Sequence, residues 1–244
     1  MFDWISRLRK SPKHASFSPT NAEQEPILLR ERDCHSHVLP GVDDGSRNME
    51  ESLEMLHMLS ALGVKRQIAT PHIFPARYPN EPDPLRRVFD TLVEAANQAQ
   101  IPLELELGAE HYLDDSLLQR IENNALLAFG QERYVLFETH TGPEIPADLF
   151  EVCKSLRDHG YTPLLAHVER YAYLRGELGR ETFHDLRCAG VRFQVNRTVQ
   201  RSNLPGIGPR GKTLAWLQKR AWIDEVGSDL HRPTASGRPV LAAA

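Results

Sequence analysis

Cysteine is scarce in this chain. Cys34, Cys153 and Cys188 are the only three in 244 residues, an odd number, widely spaced and without a C-x-x-C pair. That excludes a disulfide framework and suits a reducing cytosol, so a cytoplasmic location is expected. No stretch approaches the roughly 18 apolar residues that a membrane-spanning helix needs. A field of positive charge is also lacking: the formal net charge is −4 and the pI is near 6.3. Nucleic acid is therefore not an expected partner. What the sequence does have is length enough for one large α/β domain, or two small ones.

Residues 1–10 are amphipathic, with charges after the apolar residues and no apolar run behind them, so they do not read as a signal peptide. They are either a frayed tail or a short helix touching a membrane or partner through Phe2, Trp4, Ile5 and Leu8. Residues 11–25, rich in Ser, Pro, Asn and Gln, read as a linker. The expected division is thus an extension over 1–26 and a folded domain over 27–244.

Within the domain, apolar runs alternate with helical periodicity. Strands are expected over 27–35, 64–70, 103–107, 134–138, 162–166, 191–195 and 223–227. Helices are expected over 48–62, 85–98, 115–123, 146–159, 180–189 and 212–220. Asn48 reads as the cap of the first helix, with Glu51 placed to bond back. Gly63, Gly160 and Gly190 stop helices. Seven strands alternating with helices indicate an α/β fold with a parallel sheet, and a distorted, closed seven-stranded (β/α)7 TIM-like barrel is favoured over an open sheet. The reason is chemical: nearly every expected strand delivers a functional residue at its carboxyl end, whereas an open sheet concentrates its site at one switch point.

Those residues are imidazoles and carboxylates. His35 and His37, in Asp33-Cys34-His35-Ser36-His37, are two apart and share one face of an extended segment. Asp229 and His231 form a second dyad at the last strand end, which barrel closure would bring opposite the first. His72, Glu110 and His167 end the strands between. Asp43, in the glycine-flanked loop, is a candidate carboxylate above them, with Asp44 as its substitute. Any one of these residues has an ordinary structural role open to it; the repetition is what points to metal. Eight N/O ligands without cysteine exceed what one catalytic zinc takes and imply two or three divalent ions, with manganese first and iron or zinc as alternatives. His57, His111, His140, His159 and His184 read as surface or supporting groups.

Closely spaced ions clamp a phosphoryl group and acidify water, and arginine supplies fixed charge to the non-bridging oxygens. Arg170, three residues after His167, and Arg238, after the last dyad, are the candidates. Tyr78, Tyr171 and Tyr173 are candidates for an aromatic-accepting rim. None of the cysteines has an arginine six positions downstream, which rules out C-x5-R phosphatase chemistry.

The blocks D-C-H-S-H-V-L-P-G-V-D-D-G-S, A-T-P-H, Y-P-N, G-A-E-H-Y-L-D, L-A-H-V-E-R-Y, Q-V-N and G-S-D-L-H, spread over residues 33–231, carry a resemblance. The chain resembles the polymerase-and-histidinol-phosphatase (PHP) superfamily of metallohydrolases, and more closely its bacterial tyrosine-protein phosphatases encoded with capsule and exopolysaccharide genes. The resemblance implies a distorted seven-fold α/β barrel with three metal ions and a ligand set of His35, His37, Asp43, His72, Glu110, His167, Asp229 and His231. It also implies phosphate binding by Arg170 and Arg238. The implied substrate is phosphotyrosine on a membrane-associated tyrosine autokinase of polysaccharide assembly. The alternatives are a small-molecule phosphatase acting on histidinol phosphate or a sugar phosphate, a nuclease, and a kinase-binding module with a vestigial metal site.

Overall fold

The structure, a computed structural model, describes residues 27–29, 31–197, 204–233 and 240–241. The expected extension over 1–26 and Arg238 lie outside the described residues. The element order is β1 (Arg32–Asp33), α1 (Met49–Ala61), β2 (Arg66–Ala69), β3 (His72–Ile73), α2 (Pro82–Gln98), β4 (Glu104–Leu107), β5 (Glu110–Tyr112), α3 (Asp115–Glu122) and β6 (Tyr134–Glu138). There follow α4 (Leu149–Asp158), β7 (Thr162–Leu165), α5 (Gly176–Cys188), β8 (Arg192–Asn196), α6 (Gly208–Lys219), β9 (Glu225–Gly227), β10 (Leu230–Arg232) and β11 (Val240–Leu241). Two 3-10 turns, Val168–Arg170 and Ala172–Leu174, lie between β7 and α5.

This is a mixed α/β fold. Six parallel strands in the order β3-β5-β6-β7-β8-β9 form a curled half-barrel, and β1-β2-β4 form a second parallel sheet. β10 and β11 pair antiparallel. Strands buried on both faces need apolar residues on both, and β6 (Tyr-Val-Leu-Phe-Glu) supplies them at every position except the last. Outside the sheet, α3 to α6 bury Leu117, Val152, Leu156, Phe183, Leu186 and Leu217 in one large core. α1 and α2 bury Met55, Leu56, Leu59, Leu85 and Leu92 in another. A third cluster (Cys34, Ile68, Phe129, Tyr134, Leu136, Leu164 and Ala166) draws its strand residues from β2, β6 and β7. Leu136 is two residues before Glu138 and Leu164 three before His167, so this apolar layer underlies the strand ends that carry polar groups. Among the described residues no helix is long and apolar enough to cross a membrane.

Several expected boundaries move, each for a local reason. The strand expected over 64–70 is β2, ending before Pro71, which has no N–H to give to a ladder, and pairing resumes beyond it as the unexpected β3. The strand expected over 103–107 is β4, and pairing likewise resumes as β5 after Gly108, where a Cβ would lie 2.7 Å from Phe129 Cδ1. α2 begins at Pro82 rather than at residue 85, because proline is well suited to the first turn. α5 and α6 each begin four residues early, and α4 begins late, at Leu149. Asn48 caps α1 by accepting from the Glu51 N–H at 2.9 Å. Glu51 does not reach back to Asn48; its carboxylate takes the Arg47 N–H at 2.9 Å and the Arg47 guanidinium instead.

The first strand is far shorter than the expected 27–35. Regular pairing ends at Asp33, and the chain continues extended with Ser36 bridging Leu230 in parallel. On that side His37 N–H donates to Leu230 O (2.9 Å) and Asp229 N–H to His35 O (2.8 Å). On the other, Thr70 N–H donates to Ser36 O at 2.8 Å and the Ser36 hydroxyl to Ile68 O at 3.0 Å. The backbone between the two histidines is therefore pinned to chain segments both early and late in the sequence.

Candidate metal centre

The strand ends converge. His35 and His37 face each other with their Nε2 atoms 3.3 Å apart. Glu110 stands at the hub: its Oε2 lies 3.2 Å from His35 Nε2, 3.4 Å from His37 Nε2 and 3.2 Å from His72 Nδ1, and its Oε1 lies 2.9 Å from His167 Nε2. The parallel register of β3 and β5 sets His72 directly beside Glu110. Asp229 Oδ1 lies 3.5 Å from each of His35 Nε2, His37 Nε2 and His231 Nδ1. Four groups of potential ligand atoms, each spanning no more than 4.8 Å, result: His37/Asp44/His72/His231, His35/His37/Asp229, His35/Glu110/His167 and His72/Glu110/Glu138.

Burial decides the electrostatics. Removal from water pushes His167 and His231 down to about 4, with Arg170 adding to the effect on His167 and His37 on His231. Burial also lowers His72. These three rings stay neutral at pH 7 and keep a lone pair available. Burial opposes charge on Glu110 and Asp229 too, but their neighbours outweigh it: the imidazoles of His35, His72 and His167 around Glu110, and Arg170 and His35 beside Asp229, hold both well below the usual carboxylate range. Burial, then Glu110 and Asp229, push Glu138 up to about 9. A proton on Glu138 relieves the crowding of negative charge, and a cation would do so more fully.

The donor set fits divalent ions. His72 Nδ1, His167 Nδ1 and Asp44 Oδ1 are buried atoms without a hydrogen-bond partner, although His72 Nδ1 lies near two carboxylates. Unsatisfied buried nitrogen and oxygen of this kind is costly unless something binds it.

Around these groups stands a set of orienting contacts. Asp43 Oδ2 takes His37 Nδ1 at 2.8 Å and the His72 N–H at 3.0 Å, while its Oδ1 accepts from the Gly45 N–H at 2.8 Å. Asp44, not Asp43, aims at the imidazole edge, with Oδ1 3.5 Å from His72 Nε2 and 3.6 Å from His231 Nε2. Gln194 Oε1 accepts from the His167 N–H at 2.7 Å and lies 3.2 Å from His35 Nδ1. Gln194 Nε2 donates to Asn196 Oδ1, and Asn196 Nδ2 to Asp229 Oδ2, both at 2.9 Å. Asp33 accepts from the N–H groups of Ser228 (2.8 Å) and His35 (3.2 Å). His167 and Asp229 both sit in the left-handed backbone region, with φ of 31° and 51°, which turns their side chains sharply at the strand ends.

Sequence reasoning missed Glu138, Gln194 and Asn196. The signal for Glu138 was the one used for its neighbours, an acid closing an apolar strand. For β8 the signal was period-two polarity, Gln194 and Asn196 both pointing to the inner face of a strand otherwise apolar there.

Arg170 is half-buried against the cluster, its guanidinium paired with the Asp229 carboxylate. Tyr78 is half-buried and stacks on His72 with centroids 5.2 Å apart. Tyr171 and Tyr173 do not form a rim. Both are buried, stacked on each other at 5.1 Å and hydrogen-bonded to Thr139, because the 3-10 turns fold them under α5 into the large core. His111 is wholly buried outside the cluster and accepts from the Leu127 N–H at 3.4 Å. His57, His140, His159 and His184 are exposed.

The relatives carry the same theme. YwqE of Bacillus subtilis, a tyrosine-protein phosphatase, is 32% identical over 143 residues, 59% of this chain and 56% of that protein. CpsB of Streptococcus pneumoniae, also a tyrosine-protein phosphatase, is 27% identical over 206 residues, 82% of each chain. The matched region thus spans only about half the length of YwqE. A crystal structure from the pair YwqE and CpsB, described as unique metal-dependent tyrosine phosphatases, superposes with a TM-score of 0.72 at 27% identity, covering 82% of this chain and 79% of that one. The family model described as "Capsular polysaccharide synthesis, CpsB/CapC" matches residues 32–244. With the strand-end cluster in place and most of its length matched, the chain belongs to the CpsB/CapC family of capsular polysaccharide synthesis.

Proposed function

We propose that the chain is a metal-dependent protein-tyrosine phosphatase of the cytoplasm, acting on phosphotyrosine of a membrane-associated tyrosine kinase in capsule or exopolysaccharide synthesis. The observation that carries the reading is Glu110 and Asp229, both buried and ionised, set among five imidazoles with Arg170 paired to Asp229. In this reading residues 27–244 are the catalytic domain. Bridging of Ser36 to Leu230 supports closure of its strands as a distorted seven-stranded barrel.

His35, His37, His72, Glu110, His167, Asp229 and His231 would hold two or three divalent ions, manganese foremost, with Asp43 or Asp44 as the loop carboxylate and Glu138 joining them. Bound there, the ions neutralise phosphoryl charge and acidify water. The chain's own part is binding and orientation. Arg170 offers a planar fork to the non-bridging phosphate oxygens, and its bond to Asp229 fixes the guanidinium at the cluster edge. Arg238 is the second phosphate-binding arginine. Gln194 and Asn196 hold His167 and Asp229 in place, so the geometry exists before substrate arrives. Tyr78, flat on His72, limits the approach from the β3 side. The relatives named tyrosine-protein phosphatases favour phosphotyrosine over a small phosphomonoester.

The test is chelation. Metal-stripped protein is expected to lose turnover of p-nitrophenyl phosphate and of a phosphotyrosine peptide, and Mn2+ to restore both. Undiminished activity after verified removal of metal would overturn the reading.

A further inference from the structure

Beside the centre, α5 and α6 enclose a cavity of about 230 Å3 that the proposed chemistry leaves unused. Its charged lining is cationic: Arg175, Arg180 and Lys212 border it beside the neutral Thr213, with Trp216, Phe183 and Leu174 as an apolar floor. No carboxylate lines it, and among the described residues none of these three cations makes an ion pair. Each is exposed at its tip, while Phe183 and Leu174 are buried. Arg180 stands 6.0 Å from the centroid of the Trp216 ring, with Arg220 at 4.1 Å from the same ring. Both helices begin at the cavity, α5 at Gly176 and α6 at Gly208-Pro209, and neither has a side chain capping its first turn. Three cations outside any ion pair around one hollow, with Glu177 the one acid in the first turn of either helix, are a local reversal of sign in a protein with a net charge of −4.

The cavity is joined to the centre by a short piece of chain. Arg175 Nη2 donates to the backbone carbonyl of Arg170 at 3.1 Å, and Leu174 in the floor is four residues from Arg170. Arg210, in the first turn of α6, is close enough to Arg170 and Arg175 for their charges to act on it. Arg170, Arg210 and Arg175 thus lie between the edge of the centre and the hollow, with the Glu169 carboxyl also acting on Arg210.

We propose that this cavity is a second subsite that seats an acidic side chain of the protein substrate, in the segment flanking its phosphotyrosine. The inference rests on the phosphatase reading and deepens it: the substrate class becomes phosphotyrosine with acidic residues nearby. A carboxylate on a short apolar stem matches the lining, its oxygens meeting Arg175, Arg180 and Lys212 and its methylenes lying on Trp216. A cavity of this size takes one side chain, which selects an acidic peptide rather than an extended polyanion.

The experiment uses the full chain with Mn2+ and two phosphotyrosine peptides differing only in flanking residues, Asp/Glu in one and Ser/Ala in the other. Wild type is expected to favour the acidic peptide about tenfold in kcat/KM at low salt, through KM, the size of one or two charge-assisted contacts. In Arg180→Ala/Lys212→Ala the ratio is expected to fall to about one, and in wild type to shrink as salt rises. Equal use of the two peptides by wild type, or a preference that survives the double substitution, overturns the subsite. A second readout needs no catalysis: calorimetric titration with the acidic peptide carrying plain tyrosine. Binding by wild type that is lost in the double variant supports the subsite even if no peptide is hydrolysed, an outcome that would sink only the phosphatase reading. No binding by wild type, or binding unaffected by the substitutions, counts against the subsite. Competition by free glutamate or phosphate as strong as by the peptide would identify a small-anion site and overturn the peptide assignment.

Discussion

His111 shows what burial does to a titratable side chain that no ion attends. Desolvation, helped by Arg120, lowers it to about 3. The unfolded chain, with its ordinary histidine value near 6.5, binds the proton between those two values and the folded chain does not. Stability must therefore fall as pH drops from about 6.5 toward 3, and this contribution is absent above that window. His111→Gln retains an acceptor for the Leu127 N–H and removes the titration. Denaturant midpoints at pH 7, 6, 5 and 4 should drop less steeply for the variant; parallel curves would contradict the account. Asp43 provides a different prediction at the same scale. Its carboxylate fixes His37 and the His72 backbone, so Asp43→Ala should weaken Mn2+ binding about ten- to a hundredfold, as loss of an orienting partner does. Competition titration against a metallochromic dye measures it, and unchanged affinity would remove Asp43 from the site.

At the scale of elements, what the sequence made legible was whatever followed from period and punctuation. Six helices lie where apolar spacing puts them, and β6 and β7 fall within a residue of expectation, since a run such as Tyr134–Glu138 admits little else. What was hidden was the resumption of pairing beyond two strand ends, as β3 and β5. The short strands past Pro71 and Gly108 can be read only once their neighbours are known: Glu110 N–H donates to Pro71 O at 3.0 Å, and Phe129 fills the space beside Gly108. The same applies to Gly227 at the end of β9. A Cβ there would come within 2.5 Å of His35 Cβ and 2.9 Å of Gln194 Nε2. Gly227→Ala should thus cost about 1–3 kcal/mol by overpacking and also displace His35. Thermal melting and metal content of the purified variant test both halves; an alanine variant with wild-type values for each would show that β1 and β9 have room to part.

For the molecule as a whole, the like charges gathered at the strand ends make stability depend on what binds between them. If native protein binds divalent ions as proposed, and unfolded protein does so weakly, free ion at a thousand times Kd should add about 4 kcal/mol. Calorimetric scans of stripped protein with rising Mn2+ should show a concentration-dependent increase in Tm. A Tm indifferent to Mn2+, in protein that remains folded, would mean that the cluster binds no ion. The whole-molecule features were the least readable from sequence. The clustered imidazoles and carboxylates stood out by type and spacing, but Asn196 reaching Asp229 and Arg170 doing the same depend on which strands become neighbours.

The bond from His37 N–H to Leu230 O joins positions nearly two hundred residues apart, and the last dyad stands among the final strands. During synthesis, therefore, a chain still threaded through the ribosome has its early histidines in the open but nothing opposite them. On the proposed phosphatase reading, hydrolytic competence must await release of the carboxyl-terminal segment, which would leave a nascent chain silent and a product terminated before the last dyad inert.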